Sequence, residues 1–77
     1  MKIRIKTEEE LLRDGWVETS YDDEKSFRHP DVYLDIYGDM VKLFNKELDV
    51  EHIDLEYDGT VLADYWWHIY AFEIIDE

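Results

Sequence analysis

Between Glu47 and Asp58 acidic residues take every second place: Glu47, Asp49 and Glu51 alternate with Leu48, Val50 and His52, then Asp54, Glu56 and Asp58 with Ile53, Leu55 and Tyr57. Alternation sends one kind of side chain to each face of an extended chain, so this stretch predicts a strand with one buried and one wet face. The apolar parity slips by one between His52 and Ile53, and a one-residue change of face inside a strand signals a bulge or a sharp bend. A chain carrying such a segment is steered away from helical bundles and toward a small, bent sheet. Its acids are ordered in rows. From Glu47 to Glu77 there are ten carboxylates and no Lys or Arg, so a molecule that meets those rows is expected to be cationic.

The whole chain carries 21 acidic and 8 basic residues, a formal charge of −13 over 77 residues. Free nucleic acid and anionic membrane are poor direct partners on that balance, because both are repelled. Chains this acidic are often disordered, but 45% hydrophobic and 16% aromatic residues supply the material of a core. The length fits a single domain, 1–77, and with no cysteine the core must hold without disulfides. No apolar run approaches the roughly 20 residues of a membrane span, and Met1-Lys2-Ile3-Arg4-Ile5-Lys6 lacks the apolar block of a signal peptide. The chain reads as an intact, short cytosolic protein, and its lack of cysteine fits a reducing compartment.

Ile3 and Ile5 alternate with Lys2, Arg4 and Lys6, a strand with a basic outer face that should pair beside an acidic one, since opposite charges across strands gain up to about 1 kcal/mol. Thr7-Glu8-Glu9-Glu10 satisfies the capping box and starts a short helix, Leu11 and Leu12 supply its buried stripe, and Gly15 is placed to end it. Trp16 and Val17 resume an extended path, and the polar stretch Tyr21 to Arg28 reads as a loop. His29-Pro30 bars a helix. Val32 to Tyr37 reads as a strand, Asp39 as the cap of a short helix through Phe44, and Asn45 as its stop. Asp58-Gly59 is the hairpin turn signal, followed by the aromatic strand Tyr65 to Ile69, a single turn at Tyr70-Ala71-Phe72 and a last strand from Glu73 to Asp76. The expected class is α+β: a small, strongly bent antiparallel sheet or partly open barrel of about five strands with one or two short helices.

This layout resembles small acidic phage and prophage proteins with an SH3-like barrel. The residues that carry the resemblance are Lys2-Ile3-Arg4-Ile5-Lys6, Glu9-Glu10-Leu11-Leu12 and Gly15-Trp16, with Trp67 and Phe72 in the closing strands. The resemblance implies no catalytic motif, and it points toward phage-encoded anti-defence inhibitors, of the anti-CRISPR or anti-restriction kind.

Chemistry-bearing motifs are few. There is no Cys nucleophile, no phosphate-binding Gly-Lys-Ser/Thr loop, no Gly-x-Ser-x-Gly and no His-Glu-x-x-His, so the chain is not expected to be an enzyme. Asp54-x-Glu56-x-Asp58-Gly59 imitates the first half of an EF-hand calcium loop, but the twelfth place holds Tyr65 in place of the bidentate Glu. His29, His52 and His68 match no structural zinc spacing, and His68 is expected half-buried, donating to a backbone carbonyl. No metal or other cofactor is expected.

Trp66-Trp67 is the sharpest feature. Adjacent strand residues face opposite ways, so Trp67, in phase with Tyr65 and Ile69, is expected in the core, and Trp66, in phase with Asp64 and His68, outside. A covering loop would instead bury both. Exposed beside Tyr57, Tyr65 or Tyr70, Trp66 would be an aromatic anchor within a ring of carboxylates. Two functions follow. The first is a non-catalytic inhibitor that mimics nucleic acid, in which Glu47, Asp49, Glu51, Asp54, Glu56, Asp58 and Asp64, with Trp66, occupy the basic groove of a host nucleic-acid enzyme. The alternative is an interaction or assembly module that binds, or self-associates, through the aromatic surface around Trp66-Trp67.

Overall fold

The computed structural model describes residues 1–76, in which strands dominate. In chain order they are β1 (Lys2–Ile5), helix α1 (Glu8–Arg13), β2 (Val17–Tyr21), β3 (Glu24–Arg28), a 3-10 helix (Gly38–Leu43), β4 (Glu47–Asp49), β5 (Gly59–Leu62), β6 (Tyr65–His68), a 3-10 turn (Ile69–Ala71) and β7 (Phe72–Asp76). The strands form three small antiparallel sheets: β4-β1-β7 and the hairpins β2-β3 and β5-β6. This is a small α+β fold in which the described strands close no barrel. The expected five strands are seven.

The basic strand lies where its charge directs it. Lys2 stands between Asp49 and Asp76 and Arg4 between Glu47 and Glu73, so each cation of β1 has an acid across both ladders. Arg4 is the best connected. Its two terminal nitrogens each donate at 2.8 Å to one Glu10 carboxylate oxygen, a bidentate pair, while Nη2 also reaches Glu73 at 3.0 Å and Nη1 reaches Asn45 at 3.1 Å. Helix α1 is held at both ends by its own sequence. Thr7 Oγ1 accepts from the Glu10 amide at 3.2 Å and Glu10 Oε1 accepts from the Thr7 amide at 3.0 Å, the expected capping box. At the other end Gly15, at φ +100°, lets the Trp16 amide reach the Leu11 carbonyl at 3.0 Å, closing a Schellman motif whose apolar pair, Leu11 and Trp16, is buried.

Ile3, Ile5, Leu11, Trp16, Phe27, Ile36, Met40, Val50, Trp67, Ala71 and Phe72 form one core. Both buried indoles find acceptors: Trp16 Nε1 donates to the Tyr70 carbonyl and Trp67 Nε1 to that of Leu62, each at 3.3 Å.

Several segments depart from the sequence reading. The expected loop Tyr21 to Arg28 belongs to the β2-β3 hairpin, whose two turn residues, Asp22 and Asp23, have φ of 51° and 63°. Positive φ at both positions suits a two-residue hairpin turn, and Asp tolerates it without the usual Gly. The expected strand Val32 to Tyr37 contributes only the bridge Ile36 to Phe27, and Tyr33 is 98% exposed. The long acidic strand stops at Asp49. Beyond it Asp54 Oδ1 accepts from the amides of Glu56 (2.9 Å) and Tyr57 (3.3 Å), folding Asp54 to Gly59 into a turn closed by an Asp54–Gly59 bridge. Local side-chain bonding thus outcompetes the ladder that the alternation predicts. The second hairpin turn is accordingly Ala63-Asp64, at φ 52° and 67°, with Gly59 opening β5. Asp39 lies within the first turn of the 3-10 helix, whose N-cap is Tyr37.

Leu11→Ala should cost about 2 to 4 kcal/mol, as the truncation of a fully buried side chain, read as a drop in denaturant midpoint. Ala63→Gly should act in the opposite direction. An Ala in the left-handed region costs roughly 1–2 kcal/mol that Gly does not incur, so the variant should melt higher than the parent.

Candidate functional site

The outward face of the β5-β6 hairpin is set by strand parity. Trp67 and Thr60, paired across the ladder, point inward, and Trp67 is 1% exposed. Trp66 and His68 point outward, as the sequence predicts, with Val61 opposite Trp66 and Gly59 opposite His68. Gly59 fixes the indole. A Cβ added there would meet the Trp67 carbonyl oxygen and come within 2.6 Å of Cε2 and Cζ2 of Trp66, so the six-membered ring of Trp66 lies directly over the glycine. Trp66 is therefore half-buried and held by the bare backbone beneath it.

Trp66 divides two depressions. On one side is an apolar groove of about 530 Å³, lined by Val32, Tyr33, Leu34, Tyr57, Trp66 and His68. On the other is a smaller depression of about 380 Å³ lined by Glu51, His52, Asp54, Gly59, Thr60, Val61 and Trp66. Thr60 Oγ1 donates to the His52 carbonyl at 2.9 Å and ties the acidic loop to β5. A wider cleft next to the apolar groove shares Val32, Tyr33 and Leu34 with it and adds Arg28, His29 and Asp35.

Of the sequence-predicted residues, the structure brings Glu51, Asp54 and Trp66 into one depression. Glu56 and Asp58 flank Tyr57 on the turn that supplies the groove wall, and Asp64 sits in the β5-β6 turn, all exposed. Glu47 and Asp49 stand apart from this group, on β4 beside the cations of β1. Asp54 has a second role, since its Oδ1 holds the turn. Tyr57 joins Trp66 as expected, whereas Tyr65 packs edge-on against Tyr37 and Tyr70 against His68 and His29. The groove residues Val32, Tyr33 and Leu34 carry no sequence signal of a site. They read as alternating strand, and only the single bridge at Ile36 shows that the chain leaves the ladder there.

The ion pairs divide the charge unevenly. Arg4, Lys6, Arg13, Lys25, Arg28 and Lys42 all pair with acids lying before residue 40 or with Glu73. Among the described residues none of Glu47, Asp49, Glu51, Asp54, Glu56, Asp58 or Asp64 takes part in an ion pair. Nor do the described residues contain a group of three His, Asp or Glu side chains arranged to hold a metal ion. No helix of the described chain is long and apolar enough to cross a membrane. Compared with known proteins, the chain matches no family model, no curated protein and no solved structure.

His68 accepts where donation was expected: its Nδ1 takes the Tyr70 amide at 3.1 Å and caps the 3-10 turn, leaving the proton of the neutral ring on Nε2. Burial lowers its pKa from the ordinary 6.5, opposed by the nearby Asp58 carboxylate and reinforced by His29. Glu10 is pulled from 4.5 to about 2, first by the Arg4 guanidinium and then by the Thr7 amide. Both groups bind protons less tightly folded than unfolded, so both weaken the fold as pH falls. Stability should decline in two stages, one beginning below about pH 6.5 and one between 4.5 and about 2. His68→Asn, which keeps a capping acceptor without the ionisation, should abolish the first stage in pH-dependent melts and leave the second.

Proposed function

We propose that this chain is a non-catalytic inhibitor that occupies the cationic nucleic-acid-binding site of a bacterial defence or nucleic-acid enzyme, in the manner of anti-CRISPR or DNA-mimic proteins. The observation that carries the reading is the uneven use of charge. Six of the chain's eight Lys and Arg residues pair with acids before residue 40 or with Glu73, and among the described residues the seven carboxylates from Glu47 to Asp64 take part in no ion pair. Unpaired acids raise the self-repulsion of the folded chain, a cost that a basic partner would relieve. Lysines and arginines placed to grip phosphates would be met by Glu47 and Asp49 along β4 and by the acids of the following loop. The bacterial cytoplasm is the compartment this function requires. The SH3-like arrangement belongs to the same proposal, as the layout shared with small phage proteins.

A specific observation also favours the second reading, a protein-interaction module led by the aromatic surface. Tyr33, Leu34, Tyr57 and Trp66 converge on one groove, and aromatic side chains are enriched among the residues that dominate binding energy. The readings differ in their response to salt, because charge-led association weakens steeply with ionic strength and aromatic-led association barely changes.

Capture from bacterial lysate followed by mass spectrometry, at low and high salt, tests the proposal. A nucleic-acid enzyme recovered at low salt and lost at high salt supports it, and a partner held equally at both supports the aromatic module. In the triple reversal of Glu47, Asp49 and Glu51 to Lys, the first and second sites face Arg4 and Lys2 across the ladder and should each cost up to about 1 kcal/mol or somewhat more, whereas exposed Glu51 should change stability within about 0.5 kcal/mol. The variant's affinity for the captured enzyme should fall by more than tenfold in titration. Unchanged affinity removes these acids from the interface.

A further inference from the structure

We infer that the groove beside Trp66 seats an extended, Lys- or Arg-rich segment of the partner, with one bulky apolar side chain in the groove and a flanking cation at Glu51 and Asp54. The inference rests on the reading of this chain as a binder of cationic proteins and adds the element it recognises. Three observations carry it.

First, the groove's volume of about 530 Å³ lies within the range of small ligand sites, and its lining is almost wholly apolar or aromatic. Its walls include Tyr33, which is 98% exposed and makes no contribution to the core.

Second, the charge on the side of the groove formed by the acidic loop is of one sign. The segment Glu51 to Asp58 carries Glu51, Asp54, Glu56 and Asp58 with no Lys or Arg, and supplies both Tyr57 to the groove and two carboxylates to the adjoining depression. Asp54 commits only Oδ1 to its turn, and Oδ2 has no hydrogen bond among the described residues. A second copy of this chain, with its own charge of −13, would set like charge against like, and nucleic acid or an anionic membrane would do the same. A cationic segment gains on the acidic side, where these other occupants lose.

Third, the indole that both depressions share is already fixed over Gly59. An anchor ordered before binding loses little entropy on contact, and its face can take a guanidinium or ammonium group as well as an apolar side chain.

Selection from a random-peptide display library at low salt, with the intact chain as bait, tests the inference. The selected peptides should centre on one bulky apolar residue flanked by Lys or Arg, and binding should shield Trp66 from acrylamide, a clean readout because Trp16 and Trp67 are buried. For the best such peptide, Trp66→Ala should lose about thirtyfold or more in affinity. Tyr33→Ala, which cannot disturb the core, should lose at least about fivefold. Cationic peptides that bind as well with the apolar position changed to Ala, and that ignore both variants, overturn the groove and leave the acidic-surface reading standing. Selected peptides without excess positive charge overturn both. Recovery of no peptide overturns the segment inference alone, because the salt-dependent capture of a folded enzyme is independent of it. Sedimentation as a dimer that Tyr33→Ala dissolves would assign the groove to a second copy and overturn the inference.

Discussion

Four separate parts of the chain meet at Arg4. From the middle strand of the sheet its guanidinium holds the first turn of α1 through Glu10, the last strand through Glu73 and the chain entering β4 through Asn45. Glu10 is at once its main partner and the reciprocal member of the capping box. The start of the helix and the order of the sheet are thus coupled through one carboxylate. With so short a helix and so small a core, propensity and burial alone are thin support, and a planar, five-donor group that ties helix, edge strand and loop together reinforces both.

That arrangement also decides where charge is free. Lys6 pairs with Asp14 at 2.9 Å, Lys25 with Glu8 at 2.8 Å and Lys42 with Asp39 at 3.0 Å, so cations near the helix and the β2-β3 hairpin are neutralised locally. The long acidic stretch that follows β4 has no cation of its own to fold against. Its shape comes from backbone and hydroxyl contacts instead: Asp54 onto two amides, Thr60 onto the His52 carbonyl, and the bridge between Asp54 and Gly59. The fold keeps its acids together without consuming them.

How much of this was legible in the sequence depends on how local the cause is. The capping box, the Gly15 stop, the alternation of β1 and the opposite facing of Trp66 and Trp67 follow from periods and caps spanning a few residues, and the structure has all of them. The pairing of β1 with acidic strands was legible from charge alone. The hairpin turns were not, because Asp22-Asp23 and Ala63-Asp64 achieve positive φ without glycine while Asp58-Gly59 imitates the usual signal. The acidic strand was misread for a related reason. Alternation reports which faces a strand would have, but an Asp able to bond two amides ahead can stop the strand from forming. Of the candidate site, Trp66, Tyr57, Glu51 and Asp54 were legible and the Val32 to Leu34 wall was not, since a loop that is exposed by tertiary arrangement leaves no periodic mark.

The order β4-β1-β7 has a consequence for the company this sheet can keep. Its two outer strands carry Glu47 and Asp49 on one side and Glu73 and Asp76 on the other, and β7 also exposes Ile74 and Ile75. An edge with open backbone groups and bare isoleucines invites another strand to add on, and charge is the common guard against it. Here the guard is made entirely of carboxylates, so it discriminates by the sign of the incoming strand. A copy of this sheet would meet like charge at both of its borders, whereas a strand bearing Lys or Arg would meet none, so the same edges that discourage stacking of identical chains leave a seam open to a basic stranger.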